Sequence, residues 1–327
     1  MATCLQQLAG AWTLNLKTEC VDVKRSAKHD LSLAKVRQSY LNRIAAKEFD
    51  AVLLSPPCAS FSRAPWANFR GPRPVRSYDC PRGLQTLTPA ERDRAILGNI
   101  FADFSYEVAT LVADGAAAFL AMEQPEDLGA LASGPREGLR PASMWQWPQL
   151  ADLLSKGLRT VAFHQASFGT PYAKPTRLLL RTPLPMPDCV YEGVPCYDTK
   201  GCYTGPLPSA KGLGAMFQKQ AKGAFSTSGS EQWPAKLCQW LSAMLVSTCL
   251  PAADAAVGEG DHASPVETLP PSSETFPLNH PEGPRVLGGT GPPRFCRQLG
   301  GGNLWGGLCS PGRWSHHARS YADKKGR

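Results

Sequence analysis

A cysteine and a glutamate occupy equivalent places in this sequence, each directly after a short apolar run. Cys58 follows residues 49–55 and lies in the segment SPPCASFS, and Glu123 follows residues 116–122. A thiolate is a soft nucleophile that adds to electron-poor carbon, and a carboxylic acid can protonate a ring nitrogen. A lone cysteine or a lone loop carboxylate is usually inert, so the hypothesis depends on the pair. Together they predict nucleophilic addition of Cys58 to an electron-poor ring, assisted by Glu123.

The elements that must position this pair are predicted to form an α/β domain. Short apolar runs alternate with stretches in which apolar residues recur at helical spacing, which favours a mainly parallel sheet. Strands are predicted at residues 49–55, 116–122, 159–169 and 176–182, and helices at 91–115, 148–157 and 233–250. In such sheets the chemistry lies beyond the carboxyl ends of the strands, where both Cys58 and Glu123 fall.

Composition indicates an intracellular protein with an anionic partner. The formal charge is +8, from 35 Lys and Arg against 27 Asp and Glu, and basic protein surfaces attract nucleic acid. Eleven irregularly spaced cysteines favour reduced thiols over a disulfide scaffold. No N-terminal secretory pattern is present, and no apolar run approaches the roughly 20 residues that span a bilayer, so no membrane association is predicted. Cys189, Cys196 and Cys202 lack a close Cys-x-x-Cys pair, so no metal site is predicted.

Changes in composition divide the chain into four predicted parts. Residues 1–182 form the α/β core, 183–230 a small, irregular, basic region, and 231–250 a terminal helix that packs on the core. Residues 251–327 are rich in Pro and Gly and lack periodic apolar positions. Such a segment cannot offset its ordering entropy by burial, so a disordered tail is predicted.

Three motifs in this order resemble the DNA cytosine-5 methyltransferase family. They are PPCASFS after the first predicted strand, Glu123-Gln124-Pro125 after the second, and FGTPYAKPTR at residues 168–177. The stretch SMWQWP at residues 143–148 is similar to an S-x-W-x-x-P stretch of phage-like members. The resemblance implies a divergent, mobile-element-like member with a Rossmann-like, S-adenosylmethionine-dependent methyltransferase sheet. Residues 183–230 would then be a small target-recognition region.

The resemblance also implies an activity and a set of site residues. The activity is transfer of methyl from S-adenosylmethionine to C5 of a flipped-out cytosine in DNA, through a covalent Cys58 adduct. The protein would act as a monomer without an obligate protein partner, in the nucleus if the cell is eukaryotic. The implied catalytic residues are Cys58, Glu123, Pro57 and Pro125; the cofactor-binding residues are Asp22, Asp30 and Pro56; and the DNA-binding residues are Ser60, Ser62, Arg63, Lys174 and Arg177.

One departure from the family pattern leaves alternatives open. The family's first motif, a strand that runs into Phe-x-Gly-x-Gly, is reduced here to the single Gly10 in LAGAW. The sheet is therefore expected to be N-terminally truncated or degenerate. The alternatives are a catalytically inactive remnant that at most binds DNA and a gene model that lacks its first exon. A cysteine hydrolase with His164 as base is disfavoured, because no third partner for the histidine is evident.

Overall fold

The structure is a computed structural model that describes residues 1–11, 13–66, 72–213 and 232–250. The predicted tail at 251–327 and the second part of the predicted recognition region lie outside the described residues. In chain order the elements are α1 (Ala2–Ala11), α2 (Ala34–Ala45), β1 (Ala51–Leu54), α3 (Pro89–Ala113), β2 (Phe119–Pro125), α4 (Gln149–Ser155), β3 (Arg159–His164), β4 (Pro175–Arg181), β5 (Tyr191–Glu192), β6 (Cys196–Tyr197), β7 (Tyr203–Gly205) and α5 (Ala235–Cys249). The predicted strands and helices are thus confirmed in kind and approximate position.

A mixed five-stranded sheet with the order β1-β2-β4-β3-β5 lies at the centre of the fold. β1 and β2 run parallel, whereas β4 is antiparallel to both β2 and β3, and β5 is antiparallel to β3. The prediction of a mainly parallel sheet is therefore wrong, although the α/β class is correct. The parallel pair is the one that matters for the site, because its two carboxyl ends meet at one edge of the sheet.

Helices cover both faces of the sheet, which explains why β1 to β4 contain continuous apolar runs. Alternate residues of β2 face opposite sides: Leu120 and Met122 pack with α2, α3 and α4, whereas Phe119 and Ala121 pack with α1 and α5. On the second side Trp240 of α5 packs edge-on against the ring of Phe163 and at a tilt against the ring of Phe168, at centroid distances of 6.2 and 5.4 Å. Each face therefore has its own apolar core.

The crossover helix α3 connects the two parallel strands and begins at a complete capping box. The Thr88 side chain accepts from the Glu91 N–H, and the Glu91 carboxylate accepts from the Thr88 N–H, so two N-terminal amides are satisfied. By length and composition α3 could cross a membrane, with a mean hydropathy of 1.2, but half of that stretch is buried inside the protein. A core helix meets the same criterion, so the predicted absence of membrane association stays a prediction.

The described part of the region that follows β4, residues 183–213, extends the core. β5 adds to the main sheet beside β3, and β6 pairs with β7 in a small antiparallel sheet. The N–H of Ala130 donates to the carbonyl of Gly201 at 2.7 Å, which ties this region to the segment after β2. A Cβ on Gly129, which has φ +64°, would lie 2.3 Å from that same carbonyl, so only glycine fits there.

Candidate active site

The loop after β1 holds Cys58 at the protein surface. Pro56 and Pro57 have fixed φ angles and no N–H, which stiffens the exit from the strand, and the Cys58 side chain is exposed. Beyond it, the N–H groups of Phe61 and Ser62 donate to the Cys58 carbonyl at 2.9 and 2.8 Å, closing a tight turn. A stiff strand exit and a closed turn thus position the thiol outside the sheet edge.

The buried ring of Phe61 anchors the far side of this turn. The Arg76 guanidinium lies over the ring at 4.0 Å, and the Trp147 ring meets it edge-on at 5.9 Å. Arg76 itself is buried and donates to neutral acceptors, among them the Ser60 hydroxyl at 3.1 Å and the Ala95 carbonyl at 2.9 Å. The cation–π contact between Arg76 and Phe61 therefore stabilises the loop that carries Cys58.

Glu123 lies at the carboxyl end of β2, the strand beside β1. Its side chain is buried, with the residue only 6% exposed, and Oε2 accepts from the Ser55 hydroxyl at 3.0 Å. Burial raises the pKa of Glu123, while the Lys174 charge and hydrogen bonds from Ser55 and Trp233 oppose that rise without cancelling it. A raised pKa favours the neutral acid, which is the form that can donate a proton to a ring nitrogen.

A second hydrogen bond joins β2, the strand that carries Glu123, to the loop after β1 that carries Cys58. Gln124 is buried, and its Nε2 donates to the Pro56 carbonyl at 2.5 Å. The Gln124 side chain thus reaches across from β2 to the loop after β1. With the Ser55–Glu123 bond it fixes the two predicted catalytic segments to each other.

Pro125, the other predicted catalytic proline, supports the site through its backbone. Its carbonyl accepts from Nε1 of Trp145 at 2.8 Å. The neighbouring Gln146 donates to the Asp127 carboxylate at 2.7 Å and closes a capping box with Ser143. The SMWQWP stretch therefore braces the segment that follows Glu123.

Lys174 belongs to this site by its position. It precedes β4, has φ +38°, and acts electrostatically on Glu123. The sequence prediction assigned Lys174 to DNA contact. The structure adds a local effect, since a positive charge near Glu123 favours the ionised carboxylate and limits the rise in its pKa.

Arg177, predicted as a DNA contact, is a structural residue, and that assignment is corrected. Its side chain is 0% exposed and forms a bidentate ion pair with Glu126, with N–O distances of 2.7 and 2.9 Å. Its remaining donors reach the Thr160 hydroxyl at 2.8 Å and the Gly193 carbonyl. A guanidinium so enclosed cannot reach a phosphate. It ties β4 to the end of β2 and to β3.

The other predicted DNA contacts are partly exposed, but each has an internal partner. Arg63 donates to the Gly129 carbonyl at 2.6 Å, and burial lowers its pKa. Ser60 accepts from Arg76, and the Ser62 hydroxyl accepts from the Ala64 N–H at 3.1 Å. These contacts shape the cysteine loop, and the predicted role in DNA binding stays a prediction.

The N-terminal acidic residues are not arranged as the resemblance predicts. In the resembled family the residue that corresponds to Asp22 would end a strand, but residues 19–22 contain no strand, and Asp22 is exposed and accepts from the Lys24 N–H at 2.8 Å. Asp30 accepts from the Ser32 N–H at 2.9 Å, and hydrogen bonds from the Ser32 side chain and then its backbone lower the pKa of Asp30. Gly10 lies inside α1. Within residues 1–11 and 13–50, no strand or glycine-rich turn forms a cradle for S-adenosylmethionine, so these residues do not fit that cofactor.

Sequence reasoning missed two residues that act on Glu123. Ser55 was visible in the cysteine motif, and its place at a parallel strand end could have indicated contact with the next strand. Trp233 lies at the start of the segment leading into α5, far along the chain, and no local pattern indicates that it reaches Glu123. Among the described residues no group of three or more His, Cys, Asp or Glu side chains could hold a metal ion.

Comparison with known proteins gives no relative for this chain. No protein family, no curated protein and no solved structure matches it. The geometry around Cys58 and Glu123 is therefore the main indication of what the protein does.

Proposed function

We propose that this chain activates C5 of cytosine in DNA by covalent addition at C6. Cys58 is the nucleophile and Glu123 the acid, on a Rossmann-like methyltransferase sheet. The observation that carries the proposal is the junction of the two parallel strand ends. There the exposed-thiol loop after β1 and the buried acid of β2 are joined by the Ser55–Glu123 and Gln124–Pro56 hydrogen bonds.

The chemistry follows from the two side chains. The Cys58 thiolate adds to C6 of a cytosine flipped out of the stack and forms a C–S bond. The displaced π electrons move toward N3, which takes the proton of neutral Glu123. C5 is thereby left electron-rich and can accept a proton from water. Loss of the original C5 proton, return of the N3 proton to Glu123 and expulsion of the thiolate then restore the cytosine and the starting state of the protein.

Complete methyl transfer from S-adenosylmethionine is the function that the family resemblance implies. Because the described residues before β1 do not fit that cofactor, no step is derived through it. The overall positive charge supports DNA as the partner, since about eight excess cations favour a polyanion.

Capture of the covalent adduct tests the proposal. In 5-azacytosine a nitrogen replaces C5, which makes C6 more electrophilic and should let the adduct accumulate. Full-length protein incubated with a 5-azacytosine duplex is expected to give a species with the summed mass of protein and DNA strand in denaturing mass spectrometry. Cys58→Ala should abolish it, and Cys196→Ala, which removes another exposed thiol, should not. An adduct that persists in Cys58→Ala contradicts the proposal.

A second candidate is a non-catalytic homologue that at most binds DNA. It is favoured by the exposed, strand-free position of Asp22 and by the helical position of Gly10. The same experiment distinguishes it: a folded protein that shifts duplex DNA in a binding assay but forms no adduct is the non-catalytic homologue.

A further inference from the structure

An open cavity of about 370 Å³ lies between the short 3-10 helix Ala27–His29 and α2. Its wall includes Lys28 and His29 from the first element and Lys35 and Ser39 from the second, and these last two lie one helical turn apart on the same face. None of these residues belongs to the site of Cys58 and Glu123. The volume is at the lower end of the range of about 300–1,000 Å³ that is usual for small-molecule pockets.

The cavity has uncompensated positive charge. Neither Lys28 nor Lys35 forms an ion pair within the part of the chain that the structure describes. Arg43, which also lines the cavity, differs because it pairs with Glu19 at 2.8 Å and Glu48 at 2.7 Å. The two carboxylates outweigh its single charge, so Lys28, Lys35 and Arg43 against Glu19 and Glu48 leave a net charge of +1 around the cavity. The two lysines are the cations left to attract an anion.

A polar ring atom at the cavity also lacks a partner. Nδ1 of His29 is buried, and none of the described residues forms a hydrogen bond with it. A buried polar atom without a partner is unfavourable, and a turn of the His29 ring toward the cavity would let Nδ1–H donate to an oxygen of a bound anion. Ser39 supplies a hydroxyl on the same wall, and Val36 supplies an apolar surface beside it.

The geometry points to a binding site for a phosphate group in this cavity, with Lys28, Lys35 and His29 as its donors. Two ammonium groups, an imidazole and a hydroxyl form the set of donors that suits a tetrahedral oxyanion. The apolar side and the volume suit a small phosphate ester. A backbone phosphate of DNA has the same chemistry, and the experiment separates the two sources.

Calorimetric titration of the full-length protein tests this site, with inorganic pyrophosphate in one arm and a short DNA duplex in the other. The test variant is Lys28→Ala/Lys35→Ala. The matched control is Lys17→Ala/Lys24→Ala, which removes the same charge from two exposed lysines outside the cavity. Loss of two charged hydrogen-bond donors should weaken binding at least about tenfold in the test variant. The affinity of the control variant should stay near that of the parent protein.

The two arms give distinct outcomes. Saturable pyrophosphate binding that is weakened in the test variant but not in the control supports a small phosphate ester as the ligand. Binding of the duplex alone, weakened in the same way, supports a backbone phosphate of DNA. Binding of neither probe overturns the inference. Equal loss of affinity in the test and control variants also overturns the inference, because it would show a general effect of charge. Since neither lysine touches Cys58 or Glu123, adduct formation should survive in the test variant, and the two proposals can fail independently.

Discussion

Replacement of Arg177 by Met tests the buried ion pair that the structure assigns to this residue. Arg177 and Glu126 are each 0% exposed, and two short N–O contacts join them. Met keeps much of the side-chain volume but removes the charge, so the Glu126 carboxylate would be left buried without its cation, with a hydrogen bond from Tyr203 as a remaining contact. The Thr160 hydroxyl and the Gly193 carbonyl would also lose a donor.

The expected loss of stability is large. Removing one partner of a buried pair costs about 3–5 kcal/mol, because the remaining charge has no compensation. That is a large share of the roughly 5–15 kcal/mol by which native domains are stable. With a shift of about 2–4 °C per kcal/mol for a domain of this size, the Tm should fall by roughly 10 °C. Arg177→Met/Glu126→Leu, which removes both charges, should regain most of the loss.

Urea unfolding of the full-length variants, followed by tryptophan fluorescence, measures these differences. The matched control is Lys156→Met, since Lys156 and Asp114 form an exposed pair at 2.7 Å, with side chains 41% and 55% exposed. That substitution should change the free energy of unfolding by less than about 1 kcal/mol. If Arg177→Met stays within this same limit and instead weakens DNA binding, the buried placement is wrong and the original DNA-contact assignment is right.

Three further predictions concern the second core and the site. Trp240→Ala, which empties the space beside the edge-to-face rings of Phe163 and Phe168, should lower the free energy of unfolding by about 3–5 kcal/mol in thermal melts. Gln124→Asn shortens the side chain by one methylene and should lose the hydrogen bond to the Pro56 carbonyl. The free energy of unfolding in urea should fall by about 1 kcal/mol, and an unchanged value would contradict that hydrogen bond. Because burial raises the pKa of Glu123, its contribution to stability is complete below the ordinary glutamate pKa and is lost as pH rises through the raised value. Urea unfolding across pH should therefore show a decline that Glu123→Gln removes, and identical profiles for the two proteins would contradict the raised pKa.

The strands could be predicted because burial on both faces produces unbroken apolar runs, and the prolines marked where β1 ends. The direction of β4 was missed, although a signal was present. Only residues 165–174 separate β3 from β4, with Gly169 at φ +95°. So short a connection is too small for a helical crossover and requires an antiparallel neighbour.

The proximity of the two segments that carry Cys58 and Glu123 could also be predicted, since parallel strand ends converge. The burial of Arg177 could not be predicted, because its partner Glu126 lies 51 positions away and the basic motif alone indicates exposed side chains. The same holds for Trp233, whose contact with Glu123 depends on how α5 packs on the sheet. Such partners are determined by tertiary packing, which a local pattern does not contain.

The most direct test of the central claim is exchange of the C5 hydrogen of cytosine with water. Reversible addition of Cys58 at C6 lets C5 take up a solvent proton, so a duplex that carries tritium at C5 should release it without any methyl donor. Release should fall to background in Cys58→Ser, fall by about 10²–10⁴-fold in Glu123→Gln, and persist in Cys196→Ser. Tritium release that is equal in the parent and in Cys58→Ser, or absent from a parent that binds the duplex, would contradict the account.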